Sequence, residues 1–220
     1  MRLQHVVAAG VLHLFVATVT LGDWIDYQDI NRDISIIFDD SSAERHTSQN
    51  GAWSSSLGHP ELWSLAGSRQ ESELTTSDFY FDSQVSASGG IFDDDRGGSS
   101  SLTAAMVLDS DSIIDLDWIY QLDSRDAGLG GAGLRIVDMA GNSMVDISME
   151  SPGVMSGTSE LQFIAGTYHV ELYLDAGVQA GTLGKVEAAF EVTMSYASVP
   201  GPGTMAWLGC VLFFRRRRRA

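Results

Sequence analysis

Ile113-Ile114-Asp115-Leu116-Asp117-Trp118-Ile119-Tyr120-Gln121-Leu122-Asp123 is the stretch on which the reading of this chain turns. Its even positions, Ile114, Leu116, Trp118, Tyr120 and Leu122, are apolar, while the odd ones include Asp115, Asp117, Gln121 and Asp123. A period of two puts the apolar side chains on one face of an extended strand and the acids on the other. The same alternation returns twice downstream. Tyr168, Val170, Leu172 and Leu174 alternate with His169, Glu171, Tyr173 and Asp175, and Val186, Ala188, Phe190, Val192, Met194 and Tyr196 alternate with Glu187, Glu191, Thr193 and Ser195. Between the two ends of the chain no segment has convincing helical periodicity. Half-apolar strands joined by Gly and Asp turns predict an all-β fold, a single antiparallel β-sandwich, jelly-roll-like in its connections.

Turn chemistry places the shorter pieces. Leu134 to Asp138 and Val145 to Met149 flank Met139-Ala140-Gly141-Asn142, which predicts a hairpin, and Leu161 to Ile164 and Tyr168 to Leu174 flank Ala165-Gly166-Thr167 in the same way. The phrase from Leu161 to Tyr168 also resembles a turn that recurs in secreted bacterial β-sandwich modules, a likeness of structure and not of function. The first half is weaker. Ile34 to Phe38 reads as a strand, and the Ser-rich Asp39 to Ser56 as a loop, with Trp53 and Trp63 either packed back or at the surface. Leu74 to Val85 reads as the next strand, with Phe79 and Phe81 on one face, and Ser86 to Ser101 as a polar, Gly-rich loop.

The two ends have a different character. Residues 1–22 contain no acid, carry Arg2 and then a mostly apolar run from Val6 to Leu21, and close on Thr20-Leu21-Gly22, which predicts a secretory signal peptide cut after Gly22. Residues 23–198 form the exported acidic domain. At the far end, Val199-Pro200-Gly201-Pro202-Gly203-Thr204 is followed by an apolar run from Met205 to Phe214 and then by Arg215, Arg216, Arg217, Arg218 and Arg219. Alternating Pro and Gly end the last strand. The run from Val199 is roughly 24 Å long as a helix, against a hydrocarbon core of about 30 Å, so it suits a transient stop better than a permanent anchor. The arginines hold that end on the cytoplasmic side.

This order of short Pro motif, apolar segment and arginine cluster, over residues 199–220, resembles the PEP-CTERM sorting signal of exported bacterial proteins. That signal is typically Val-Pro-Glu-Pro followed by Gly-Thr. Val199, Pro200, Pro202, Gly203 and Thr204 stand where the pattern wants them, and Gly201 replaces the usual Glu. The resemblance implies export by Sec-type machinery, a brief stay in the inner membrane, processing by an exosortase-like enzyme, and association with extracellular polysaccharide and biofilm matrix.

Charge narrows the partners. The chain has 13 basic and 29 acidic side chains, a formal net charge of −16. Arg2 leaves with the leader and five arginines sit in the tail, so about seven basic groups face all 29 acids in the exported part, near −22. Such a surface repels nucleic acid and anionic polymers and attracts divalent cations. The one cysteine, Cys210, lies in the apolar tail, so the exported domain closes no disulfide and rests on its core.

The candidate chemical sites are few. Gly128-Leu129-Gly130-Gly131-Ala132-Gly133 satisfies G-x-G-x-x-G on paper, but Leu134 to Val137 reads as a strand and not the helix that phosphate binding needs, so the segment is expected to be an inter-strand loop. Asp93, Asp94 and Asp95, and the series Asp109, Asp111, Asp115 and Asp117, are the calcium-like clusters, of which Asp93 to Asp95 is the candidate; neither fits an EF-hand, and solvated acids are the simpler reading. No Gly-x-Ser-x-Gly elbow occurs, and His46, His59 and His169 lack metal-ligand spacing. No catalytic or cofactor residue is nominated, and the chain is read as a non-enzyme. The function expected is a structural or adhesive surface or matrix protein. One alternative is a carbohydrate-binding module that stacks sugars on Trp53, Trp63 or Tyr173; the other is a secreted hydrolase, which would need two convergent acids in a concave site.

Overall fold

The computed structural model describes residues 25–38, 41–58, 66–90 and 95–199. The leader, Trp63, His59, Asp93, Asp94, and the tail from Pro200 to Thr204 and through Arg215 to Arg219 lie outside the described residues. Twelve strands follow in order: β1 (Ile25–Phe38), β2 (Ser41–Thr47), β3 (Trp53–Gly58), β4 (Ala66–Leu74), β5 (Asp78–Gly89), β6 (Arg96–Leu108), β7 (Ser112–Asp126), β8 (Gly128–Asp138), β9 (Ser143–Met149), β10 (Gly153–Phe163), β11 (Gly166–Val178) and β12 (Gly184–Ser198). They make two antiparallel sheets, β2-β1-β6-β11-β8-β9 and β10-β7-β12-β5-β4-β3.

The eight strands β5 to β12 have the connectivity of a jelly roll. β5 pairs with β12, β6 with β11, β7 with β10 and β8 with β9, as if one long antiparallel ribbon had been rolled so that its successive pairs fall in alternate sheets. β1 and β2 extend the first sheet beside β6, and β4 and β3 extend the second beside β5. The apolar faces meet in one core. Ile114, Leu116, Tyr120 and Leu122 of β7 are buried, as are Val186, Phe190, Val192 and Met194 of β12 and Val170, Leu172 and Leu174 of β11. Phe190 takes Phe81 and Tyr120 edge-on, at ring distances of 6.2 and 6.4 Å. The first and last strands, which lie in opposite sheets, are joined inside by a hydrogen bond between the Tyr27 and Tyr196 hydroxyls.

Four expectations are corrected. The Ser-rich 39–56 segment holds β2 and β3, because both are short edge strands that need no apolar face. Leu74 ends β4 rather than opening the next strand: a turn at Thr75 to Ser77, where Thr75 N donates to Asp78 O at 2.9 Å, separates it from β5. Much of the segment from Ser86 to Ser101 is strand and not loop: Ser86 to Gly89 close β5 and Arg96 to Ser101 open β6, since small residues there serve as strand. The Ala165-Gly166-Thr167 turn is a corner between sheets and not a hairpin, because β10 pairs with β7 while β11 pairs with β6 and β8. Phe163 and Tyr168 face each other across the core there at 4.8 Å and 86°, and the Tyr168 hydroxyl donates to Ile164 O at 2.9 Å. The hairpin at 139–142 forms as expected. Gly141 has φ 85°, and the Asp138 carboxylate accepts from the amides of Ala140 and Asn142 and from the Asn142 side chain. Those bonds, the Asn142 side chain first, hold Asp138 below the usual carboxylate range.

The sandwich interior is not apolar throughout. β4 points Ser68, Gln70 and Ser72 inward, all buried. Ser100 donates to Gln70 Oε1 at 2.9 Å and Ser68 to Ser99 O at 2.6 Å, so the layer is internally satisfied. Arg32 is buried in the first sheet with no carboxylate partner among the described residues. Its guanidinium donates to the carbonyls of Gln49 and, at 2.7 Å, Gly51, tying the β2–β3 turn to β1.

Candidate functional site

The segment read as an inter-strand loop, Gly128 to Gly133, is the first half of β8, and this correction builds the site. No helix follows it, so no phosphate cradle forms. Glycines in a strand let another group approach the backbone closely. Tyr173 on β11 stands opposite Gly133, and Asp175 stands opposite Gly131. A Cβ on Gly133 would lie 2.2 Å from Tyr173 Cε1 and 2.7 Å from Cζ, so the phenol ring lies directly over the bare glycine. A Cβ on Gly131 would meet Glu150 Cγ at 3.6 Å and Asp175 Oδ1 at 3.7 Å, so both acids overhang that second glycine. Tyr173 keeps 43 % of its surface in water.

Around this floor lies a recess of about 380 Å³, lined by Gly130, Gly131, Glu150, Pro152, Tyr173 and Asp175 among others. A second recess of about 320 Å³ adjoins it, sharing Leu129 and Asp175 and running on to Gly97, Gly177 and Ile37. Gly97 and Gly177 are paired neighbours on β6 and β11. The two recesses adjoin as one shallow trough over the Gly-rich start of β8, reaching past it to Leu122 and Ser124 of β7 in the second sheet, with exposed apolar Leu129 and Ile37 along it. Asp175 sits where they meet. Partial burial, then the nearby Glu150 charge, raises its carboxyl above the usual range.

Beneath the trough, on the core side, is Tyr120. Its hydroxyl is buried and finds no hydrogen-bond partner among the described residues. Burial first, then the charges of Asp175 and Glu150, push it up to about 12. Together the site offers an aromatic face, two carboxylates and a glycine floor, which suits a ring with an apolar face and hydroxyls at its rim.

Other expected residues are dispersed. Of the three aromatics suggested for stacking, Tyr173 lies outward on the first sheet and Trp53 is half-buried on β3 of the second, opposite the inward-facing Ser72, so these two make no row; Trp63 is outside the described residues. Of the calcium candidate, only Asp95 is described. Its carboxylate accepts from Ala180 N at 2.7 Å. Asp111 likewise accepts from Ala165 N at 2.9 Å, and Asp115 and Asp117 point outward from β7. Among the described residues no three metal-ligating side chains come together. His46 pairs with Asp33 at 2.7 Å on the surface, and His169 is exposed on β11. Val199, the first residue of the expected sorting motif, donates its amide to Asp111 O at 2.8 Å; the other residues of that expectation lie beyond the described residues.

No protein-family model matches this chain, and no curated protein does. Among solved structures it is similar to the carbohydrate-binding module TmCBM61 in complex with β-1,4-galactotriose, at 12 % identity and a TM-score of 0.31, over 53 % of this chain and 71 % of that one. It is also similar to the enzymatically active domain of bacteriophage CBA120 tailspike protein 4, at 12 % identity and a TM-score of 0.28, over 68 % of this chain and 19 % of that one. A third is infectious bursal disease virus, Gx strain, at 9 % and 0.28, over 83 % and 59 %. What those proteins bind or build does not carry over to this chain at such values.

Proposed function

We propose that this chain is an exported cell-surface or extracellular-matrix protein that attaches to neutral polysaccharide through the trough on its first sheet, without cleaving it. The observation that carries the binding is the Tyr173 ring laid over Gly133, one face on the sheet and the other toward water, with Asp175 and Glu150 beside it. A flat aromatic face covers the apolar side of a sugar, and carboxylates accept its hydroxyl protons. Anionic polymers are disfavoured by the net charge of −16. The address comes from the two ends: a leader over residues 1–22 and a sorting signal from Val199 through Arg219, handed to an exosortase-like enzyme at the inner membrane.

Titration calorimetry with neutral glucans, galactans and mannans tests the binding. Heat of binding to at least one polymer in the wild type, lost in Tyr173→Ala, supports it; no binding to any, or binding unchanged by the substitution, refutes it.

The pairing of Asp175 with Glu150 favours a second reading, a glycoside hydrolase, since two flanking carboxylates are the equipment of that reaction. Asp175 has the raised carboxyl that such an acid needs, but both side chains stand on an open surface with no enclosed pocket among the described residues to exclude water around a scissile bond. Release of reducing ends by the wild type, abolished in Glu150→Gln and Asp175→Asn, would establish hydrolysis instead.

A further inference from the structure

Strand β10 closes one edge of the second sheet, and β7 is its only substantial neighbour among the described residues. The outer edge of its eleven residues therefore presents unpaired backbone donors and acceptors. Folded proteins usually blunt such an edge with charge, proline, a bulge or brevity. The other three edge strands are shorter: β2 and β9 have seven residues, with Glu44 and Arg45 on one and Asp146 on the other, and β3 has six. β10 has no proline or lysine, one charge at Glu160, and an unbroken register along β7 from Gly153 to Phe163.

Its sequence is self-complementary. We infer that β10 pairs antiparallel with β10 of a second copy about a two-fold axis through Thr158, joining two six-stranded sheets into one of twelve. On that axis Met155 faces Leu161 of the other copy, both on the inner side of the sheet, where they pair with Tyr120 and Ile114 of β7. Gly157 faces Ser159, and Glu160 faces Ser156, so no carboxylate opposes another. Moving the axis one residue to Gly157 sets Val154 against Glu160 and leaves Met155 against Ser159, which loses the apolar pair. Cross-strand pairs of this kind are the unit of sheet stabilisation. Val154 and Met155 are 65 % and 41 % exposed in the single chain, and Trp118 lies over Gly157 at the middle of the strand. A nearly neutral edge on a chain of net charge −16 is a poor mark for a basic partner, which the acidic faces would draw elsewhere, while a second copy brings a strand of the same composition.

The test uses the full chain in two differently tagged forms, expressed together and recovered through one tag. Wild-type copies are expected to co-purify, and more strongly as salt rises, because screening relieves the repulsion between two acidic bodies. Thr158→Asp in both copies opposes two carboxylates on the axis and should reduce recovery roughly tenfold or more, as should Thr158→Lys in both. Thr158→Asp in one copy with Thr158→Lys in the other should restore it, an outcome that neither misfolding nor a different interface produces. Wild-type copies that do not co-purify, like-charged variants that pair as well as wild type, or a charge-swapped pair that is not rescued would each overturn the inference.

Discussion

Gly133→Ala separates the trough's function from the fold. Gly133 lies mid-strand in β8 without a positive φ, so alanine suits the backbone there, and such a change stabilises by about 0.4–1 kcal/mol through the unfolded chain. The new methyl would stand 2.2 Å from Tyr173 Cε1 and 2.9 Å from its hydroxyl oxygen. The phenol is the free end of an exposed side chain, so it swings away at little cost and the sheet stays intact. The platform is then lost. A tyrosine offers roughly 200 Å² of surface, and with 43 % of Tyr173 in water a sugar can cover at most about 90 Å² of it. At about 25 cal/mol per Å² that is about 2 kcal/mol, or roughly a 30-fold rise in Kd. Calorimetry against the polymer that the wild type binds reads the affinity, and thermal unfolding followed by circular dichroism reads the fold. Wild-type affinity in Gly133→Ala, with the Tyr173 ring shown by NMR to have moved, would refute the stacking argument.

The buried hydroxyls give three further expectations. Tyr120→Phe removes an oxygen that has no partner among the described residues, so it should leave stability unchanged or raise it by about 1 kcal/mol in urea unfolding; a clear loss would mean the hydroxyl is bonded. Tyr196→Phe strands the Tyr27 hydroxyl and should cost about 1–3 kcal/mol, while adding Tyr27→Phe should recover much of the loss, a non-additivity readable in the same assay. Tyr27, Tyr120 and Tyr196 all have folded pKa values above the ordinary one, for which burial is the largest cause. They stay neutral in the folded chain after the unfolded chain has begun to ionise. Their contribution to stability is therefore whole below about pH 10 and lost as pH rises beyond it, a decline that unfolding midpoints between pH 8 and 11 would show and that Tyr120→Phe should soften. At the site itself, Glu150→Gln should lower the Asp175 pKa without returning it to the ordinary value, since burial and not Glu150 is the larger cause; carboxyl ¹³C titration would show it, and an unmoved value would contradict the proximity of the two acids.

The strands most fully legible from the chain alone are those whose apolar residues alternate along their length, β7, β11 and β12, because one face of each is a continuous part of the core. β4 does not show in the alternation for a physical reason: its inward positions are Ser68, Gln70 and Ser72, of which Ser68 and Gln70 bond to β6 in the facing sheet instead of joining an apolar layer, and only the folded chain shows that. The second half of β8 shows in Leu134 to Asp138, but its first half is masked by glycines, whose use is visible only once β11 lies alongside. The difference between a hairpin and a corner at 165–167 depends on which sheet accepts each strand, and alternation is blind to it. Tyr173 could be singled out as an outward aromatic. Asp175 and Glu150 could not, among 29 acids, since what distinguishes them is the register that sets Asp175 against Gly131 and the end of β9 that brings Glu150 beside it.

The claim beneath the rest is one of address, that a strand-built acidic body is carried out of the cytoplasm by one end and sorted by the other. Intact-mass and terminal-peptide mass spectrometry of the protein taken from its own cells tests it most directly. The expected mature chain begins at Asp23 and lacks Arg215 to Arg219, and it is recovered from the envelope or the medium. An unprocessed chain, with Met1 and all five terminal arginines in the cytosolic fraction, would contradict the account.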